Sequence, residues 1–196
     1  MSLKERVYSV LVVSASEKFN SALPAFLTEA RYSPVQYVSG ISAARRLLSE
    51  RSFDFIIINS PLHDGTGASF ASDCCERTVS AVLLLIKTDL YSDVYDKISK
   101  CGAFLVPKPV SKQNMNMALE WMGSMRERLK RYEAESQSFE EKMNEIRSIN
   151  RAKWILISQK GMDEPQAHRY IEKQAMDRGI SKKDVAMEIV QKQGRP

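Results

Sequence analysis

The feature that most constrains this chain is a long stretch without helix breakers. Residues 124–160 contain neither Gly nor Pro, so they predict one continuous helix, whose pattern starts near Ser111. Along this helix the seam positions alternate steps of four and three residues, as in a heptad repeat. The apolar members of the seam are Met125, Leu129, Tyr132, Phe139, Met143 and Ile146. Ser136 and Asn150 are its polar members.

This seam favours a two-stranded parallel coiled coil, so we expect a homodimer. An Asn in such a seam often fixes register and strand number, which is the role expected of Asn150. The seam covers only about four heptads, close to the lower limit for a coiled coil. The alternative is a long helix that packs antiparallel against its own N-terminal domain.

Helix start and stop signals follow the long helix. Gly161 predicts its end, and Asp163 or Glu164 with Pro165 predicts the start of the next helix. Gly179 ends that helix, and Ser181 with Asp184 caps the last one. Each helix carries an apolar stripe at helical spacing. The stripes contain Ala152, Ile155 and Leu156, then Ala167, Tyr170, Ile171 and Ala175, then Val185, Ile189 and Val190. We expect them to close one small core.

The positive charge is concentrated in this C-terminal part. Residues 150–196 carry 10 Lys and Arg against 6 Asp and Glu, whereas residues 1–123 carry 13 against 12. This excess would attract a phosphate backbone but could not by itself specify a sequence. A solvated helical surface is the alternative reading of the same charges.

The first 123 residues alternate short aliphatic runs with helical patterns. The expected strands are Val7–Val13, Val35–Val38, Phe55–Ile58, Val82–Ile86 and Phe104–Val106. The expected helices lie around Phe19–Ala30, Ser42–Glu50, Ala68–Glu76 and Ser92–Cys101. Together they predict an α/β fold with a five-stranded parallel sheet, whose working crevice lies at the carboxyl ends of the strands.

At those strand ends the runs VVSASEKF, FDFIIINSPLHDGTG and VPKPVS resemble the receiver domain of two-component response regulators. The resemblance implies a flavodoxin-like, CheY-like fold. The family's phosphoacceptor Asp is matched by Asn59, and its first-strand carboxylates are matched by Ser14 and Ala15. Its switch hydroxyl is matched by Ile86, and only Lys108 is retained. An amide cannot act as the phosphoacceptor and Mg²⁺ needs hard oxygen ligands, so we expect a pseudo-receiver that is not phosphorylated.

The C-terminal pattern, AK followed by ILI, then Gly161, Glu164, Ala167, Tyr170, Ala175-Met176, Arg178 and DVA, resembles the ANTAR domain of antitermination regulators. This resemblance implies a dimer that binds stem-loops in a nascent leader mRNA and prevents a terminator hairpin. The expected RNA-binding residues are Arg151, Lys153, Lys160, Gly161, Met162, Arg169, Lys173, Arg178, Lys182 and Lys183. The resemblance to the ANTAR family also suggests control by a ligand-sensing regulatory protein that sequesters the dimer.

The predicted organisation is a pseudo-receiver in residues 1–123, a coiled-coil linker in 124–150 and an ANTAR RNA-binding domain in 151–196. No window resembles a membrane span or a signal peptide, so we expect a cytoplasmic protein. Cys74, Cys75 and Cys101 lack metal-ligand spacing and are expected to be buried, reduced thiols. No metal site, cofactor or catalytic residue is expected, and hence no enzyme. The competing hypothesis is a protein-interaction scaffold that uses the same helices without RNA.

Overall fold

The computed structural model describes residues 6–193, which form two compact units divided between Glu133 and Ala134. The longest helix, α5, continues through this division. Within the described range no helix is both long enough and apolar enough to span a membrane.

The N-terminal unit contains a five-stranded parallel sheet, as predicted. The strands are β1 (Tyr8–Val13), β2 (Tyr32–Val38), β3 (Phe55–Asn59), β4 (Ala81–Lys87) and β5 (Phe104–Lys108), in the order β2-β1-β3-β4-β5. The helices that begin in this unit are α1 (Glu17–Ala22), α2 (Ile41–Glu50), α3 (Ala68–Arg77), α4 (Tyr91–Cys101) and α5 (Lys112–Lys160).

Helices pack on both faces of the sheet, and because successive strand residues point to opposite sides, each strand contributes to two cores. Val10 and Val12 of β1 belong to a core that also contains Leu119 and Met122 of α5. Leu11 and Val13 of the same strand belong to a second core with residues of α2, α3 and α4. This double burial explains why β3 and β4 are nearly continuous apolar runs.

The helix expected over Phe19–Ala30 is wrong in length. The α-helix ends at Ala22 and is followed by a single 3-10 turn, Leu23–Ala25. Pro24 has no amide hydrogen to donate and its ring would clash with the preceding turn of an α-helix. The chain then reaches β2 three residues earlier than the apolar run beginning at Val35 predicts.

The first turns of α5 form part of the N-terminal unit. Met115, Leu119 and Met122 are buried in its core, and Arg126 is also buried. Met125, the first residue assigned to the dimer seam, packs against the same core. This position is therefore already occupied within the chain.

The C-terminal unit consists of the end of α5 with α6 (Glu164–Arg178) and α7 (Lys182–Gln193). Its core is formed by Ala152, Leu156, Ala167, Ile171, Ala175, Val185 and Ala186, with Tyr170, Ile189 and Val190 packed against them. The expectation for Ile155 is wrong. Ile155 is half-buried and lies outside this core. Ile149 and Ile157 of the same helix pack against the core instead.

The predicted caps are confirmed. Asp163 and Gln166 form a capping box at the start of α6. Gly161 and Gly179 have φ of 64° and 61°, the left-handed conformation that glycine adopts without strain. The Ser181 Oγ accepts from the Asp184 amide at 3.1 Å before α7.

Candidate functional site

The carboxyl edge of the sheet brings three of the predicted receiver positions together. Asn59 ends β3, Ser14 follows β1, and Lys108 ends β5. The Asn59 Nδ2 donates to the Ser14 Oγ at 3.0 Å, while the Lys108 Nζ donates to the Asn59 Oδ1 at 2.9 Å. The ammonium also donates to the Ser60 carbonyl. These contacts form a chain of hydrogen bonds from Lys108 through Asn59 to Ser14, which we call the neutral relay because none of its acceptors is charged.

The neutral relay has no carboxylate. Ser14 and Asn59 are buried, with 2% and 5% of their surface exposed, and the Asn59 amide is bonded at both its oxygen and its nitrogen. Ala15 is exposed beyond β1, and Ile86 is buried in β4 opposite Pro107. Neither can supply the oxygen that a metal or an acyl phosphate would need.

A hydroxyl that sequence reasoning missed lies two residues beyond Ile86. The Thr88 Oγ1 donates to the Lys108 carbonyl at 2.7 Å. This contact holds the end of β5 close to the loop after β4. The sequence contains the Thr88 hydroxyl, but Thr88 lies two residues after Ile86, the position that matches the switch hydroxyl of the receiver family. The alignment therefore gave no reason to assign Thr88 to the site.

Lys108 carries a positive charge that no carboxylate among residues 6–193 neutralises. Burial lowers the pKa of its ammonium, and the neighbouring charge of Lys87 lowers it further. Within the same residues no cluster of three or more His, Cys, Asp or Glu side chains could hold a metal ion.

The acidic residues that come before and after β3 in the sequence, Asp54 and Asp64, serve structural roles. Asp64 accepts the Ile41 and Ser42 amides at 2.9 Å, so its carboxylate caps α2. These backbone hydrogen bonds lower the pKa of Asp64. Asp54, at the opposite end of β3, binds the Arg126 Nε at 2.9 Å.

Two clefts open beside the neutral relay. One, of about 560 Å³, is lined by Ala15, Ser16, Lys18, Phe19, Ala22, Asn59, Ser60, Pro61 and Lys108. The other, of about 190 Å³, is lined by Phe19, Ala22, Leu23, Phe26, Lys108, Pro109, Val110 and Met115. They share Phe19, Ala22 and Lys108. We call them the polar cleft and the apolar cleft.

The predicted RNA-binding cations divide into two groups in the C-terminal unit. Three form ion pairs between helices: Lys153 with Glu164, Arg178 with Glu188, and Lys182 with Glu172. Lys160 lies over the Tyr170 ring, 4.8 Å from its centroid. These side chains contribute to the packing of the unit.

The other four form no ion pair within the described chain: Arg151, Arg169, Lys173 and Lys183. We call them the free cations. Arg169 and Lys173 lie one turn apart on α6, while Arg151 belongs to α5 and Lys183 to α7. All but the half-buried Lys183 are exposed. Gly161 is exposed at the end of α5, and Met162 is half-buried against the core.

Two exposed apolar side chains were not predicted as site residues. Trp154 on α5 and Met176 on α6 have exposed fractions of 72% and 82%. Trp154 could have been suspected because it stands outside the apolar stripe of its helix, one turn from Arg151. Met176 follows Arg169 and Lys173 along one face of α6.

The middle part of α5 exposes several residues of the predicted dimer seam. Tyr132, Phe139 and Ile146 are spaced by seven residues and have exposed fractions of 54%, 66% and 52%. Leu129 and Met143 are half-buried. A row of large apolar side chains in water is unfavourable unless another surface covers it.

Comparison with known proteins agrees with this architecture. Residues 137–190 match the family model described as the ANTAR domain. The transcriptional regulatory protein PdtaR of Mycobacterium tuberculosis is 25% identical over 189 residues, which cover 95% of this chain and 91% of that protein.

Solved structures show the fold of the N-terminal unit. The signal receiver domain of an HD domain-containing protein from Pseudomonas fluorescens has a TM-score of 0.56 at 19% identity, covering 68% of this chain and 96% of that chain. The HemR receiver domain from Leptospira biflexa has a TM-score of 0.51 at 23% identity, covering 58% and 92%. These comparisons confirm the predicted receiver fold.

Proposed function

We propose, from the premise that this chain is an antitermination-type response regulator with a receiver-fold domain and an ANTAR domain, that it binds stem-loops of nascent leader mRNA as a dimer. Its family is one of regulators and not of enzymes. The N-terminal domain does not accept a phosphoryl group in this proposal, and a ligand-sensing protein controls the dimer. The proposed domains are residues 1–123, 124–150 and 151–196.

The observation that carries the proposal is the set of free cations on the C-terminal unit, which contains the ANTAR match at residues 137–190 and which we call the ANTAR unit. Arg151, Arg169, Lys173 and Lys183 come from all three helices of the unit and lack carboxylate partners within the described chain. Lys and Arg that neutralise phosphates release counterions, which supplies much of the free energy of nucleic-acid binding. RNA hairpins add unpaired loop bases, and Trp154 offers an exposed aromatic ring for stacking.

The exposed seam residues support the dimer. Tyr132, Phe139 and Ile146 repeat every seven residues on a helix that continues into the ANTAR unit. Pairing of two such helices would bury all three side chains. The dimer would then present two sets of free cations to a pair of hairpins.

The neutral relay supports a domain that is not phosphorylated. Asn59 provides an amide where an acyl phosphate needs a carboxylate, and this amide is bonded to Ser14 and Lys108. Ser14 and Ala15 provide no carboxylate for a divalent cation. Both the nucleophile and the metal ligands of phosphotransfer are therefore missing.

The test measures binding of the full chain to RNA hairpins selected from a pool with randomised loops. Alanine replaces the free cations together, and the matched control replaces four exposed cations of the N-terminal unit, Arg46, Arg77, Lys100 and Lys112. Loss of four phosphate contacts should reduce the slope of log K against log salt concentration by about 3. The control variant should keep the wild-type slope.

Three outcomes contradict the proposal. The first is a slope that the free-cation variant leaves unchanged. The second is equal affinity for hairpins and for an unstructured RNA of the same length, because that would show general polyanion binding. The third is no selected RNA at all, which would favour the protein-interaction scaffold, for which the exposed Met176 provides an apolar contact.

A further inference from the structure

We infer that the two clefts beside the neutral relay form one binding site for a small amphiphilic organic anion, with its anionic head at Lys108 and its apolar part against Phe19 and Phe26. This inference goes beyond the proposed RNA binding, because it concerns the N-terminal domain alone. It replaces covalent phosphorylation with reversible binding of a molecule.

The polar cleft has the charge that an anion requires. It is lined by Lys18 and Lys108, by Ser16, Ser60 and Asn59, and by no Asp or Glu. Lys108 uses two of its ammonium hydrogens on the Asn59 Oδ1 and the Ser60 carbonyl. Both acceptors are neutral, so a third donor and the full positive charge remain for a ligand.

The absence of Asp and Glu from the polar cleft changes the class of ligand that the carboxyl edge of the sheet can bind. A carboxylate at the Asn59 or Ser14 position would neutralise the Lys108 charge and favour a cation. Here Asn59 donates one amide hydrogen to the Ser14 Oγ and accepts from Lys108, so the amide adds no negative charge. The electrostatic environment of the polar cleft therefore favours a carboxylate or a phosphate ester.

The apolar cleft defines the rest of the ligand. Leu23, Phe26, Val110 and Met115 line it, and Phe19, Ala22 and Lys108 join it to the polar cleft. A molecule bound through its head at Lys108 would place an alkyl or aryl group among these side chains. Volumes of about 560 and 190 Å³ fall within the range of small-molecule sites when the two clefts act together.

The experiment titrates the full ¹⁵N-labelled chain with four probes: octanoate, 4-phenylbutyrate, phenyl phosphate and inorganic phosphate. At least one amphiphilic anion should give saturable shifts of the amides in residues 15–26 and 108–115, with a Kd of about 1 mM or below. For octanoate or 4-phenylbutyrate, the uncharged primary amide should bind about tenfold more weakly than the acid, since it lacks the charge-assisted contact with Lys108.

Two variants locate the site. Lys108→Met should weaken binding about tenfold, whereas Lys112→Met, an exposed lysine outside both clefts, should not. Ala22→Trp should block the junction of the clefts, and Ala22 is exposed, so the fold does not depend on its size. This second variant keeps the test decisive if Lys108→Met perturbs folding.

The inference is overturned if none of the amphiphilic probes produces saturable shifts in these amides. Equal affinity of the acid and its amide would overturn it as well, because the ammonium would then have no role. Equal affinity of inorganic phosphate and the amphiphilic anions would show a simple anion site without the apolar part. Binding that survives Ala22→Trp would place the ligand elsewhere.

Discussion

Replacement of Asp54 by Asn should destabilise the N-terminal domain more than removal of the arginine that Asp54 binds. The Asp54 Oδ1 accepts the Arg126 Nε at 2.9 Å and pairs with the Lys130 Nζ at 3.0 Å. Its Oδ2 accepts both the amide and the hydroxyl of Ser9 at 3.0 Å. This carboxylate therefore joins β1 to the part of α5 that leads towards the ANTAR unit.

The cost of Asp54→Asn follows from the burial of Arg126. The Arg126 side chain is 9% exposed, its Nη1 has no hydrogen-bond partner within the described chain, and its other carboxylate contact, Glu133, lies 3.8 Å away. Removing one partner of a fully buried pair costs about 3–5 kcal/mol. Lys130 is 42% exposed and water reaches that side, so we expect about 2 kcal/mol.

Arg126→Met should cost less. Asp54 would keep its two bonds from Ser9 and its contact with Lys130, while Met would fill much of the space of the arginine stem. Loss of the hydrogen bond should then cost about 1 kcal/mol. The double variant should be more stable than Asp54→Asn alone, because it no longer contains the unpaired guanidinium.

Urea unfolding followed by tryptophan fluorescence measures these differences. The N-terminal unit contains Trp121 and the C-terminal unit contains Trp154, so a Trp154→Phe background reports on the N-terminal unit alone. Asp73→Asn is the matched control, because Asp73 forms an exposed pair with Arg45. It should change the free energy of unfolding by about 0.5 kcal/mol.

The effect of Asp54→Asn should depend on pH. Burial raises the pKa of Asp54, but hydrogen bonds from the Ser9 amide, Lys130 and Arg126 outweigh it and lower the pKa overall. A lowered folded-state pKa gives stability above the unfolded value of about 3.9 and loses it as the pH falls through the folded value. The difference between wild type and Asp54→Asn should thus be full at neutral pH and shrink in acid. An Arg126→Met cost equal to that of Asp54→Asn would refute the reasoning.

Three further predictions concern the other features of the chain. Phe139→Asp should convert the proposed dimer to a monomer in sedimentation velocity, because it places a charge in the seam, whereas the neighbouring Ser138→Asp should not; a dimer in both would exclude this seam. Gly179→Ala should lower the free energy of unfolding of the ANTAR unit, reported by Trp154, by about 1 kcal/mol, since its φ is 61°; the control Asp177→Ala should change it little. Asn59→Asp should remain unlabelled by radioactive acetyl phosphate, and robust labelling would contradict the assignment of the missing metal ligands.

The sheet, and the meeting of Ser14, Asn59 and Lys108 at its carboxyl edge, could be predicted from the sequence. Strands covered on two faces appear as aliphatic runs, and Ser14, Asn59 and Lys108 each lie at the carboxyl end of such a run. Parallel strands bring these ends together, so proximity followed from the strand order of the fold. The hydrogen bonds among the three could not be predicted, because they depend on side-chain conformations.

The distinction between paired and free cations could not be predicted from sequence either. The ion pairs Lys153–Glu164, Lys182–Glu172 and Arg178–Glu188 join residues 10 or 11 positions apart on different helices. Their formation depends on how the helices pack, and no helical repeat links their members. The same reason applies to Asp54 and Arg126, which are 72 residues apart.

Asn59→Asp should be stable as well as chemically silent, and the neutral relay explains why. An aspartate at this position could accept from the Ser14 hydroxyl and from Lys108, the two groups that now bind the amide. Its charge would be compensated by an ammonium that no carboxylate of the described chain now neutralises. One carboxylate still provides only one strong ligand, and Ser14 and Ala15 add no second. The variant should therefore fold at least as well as the wild type, lose affinity for the amphiphilic anion, and remain without the divalent cation that phosphotransfer requires.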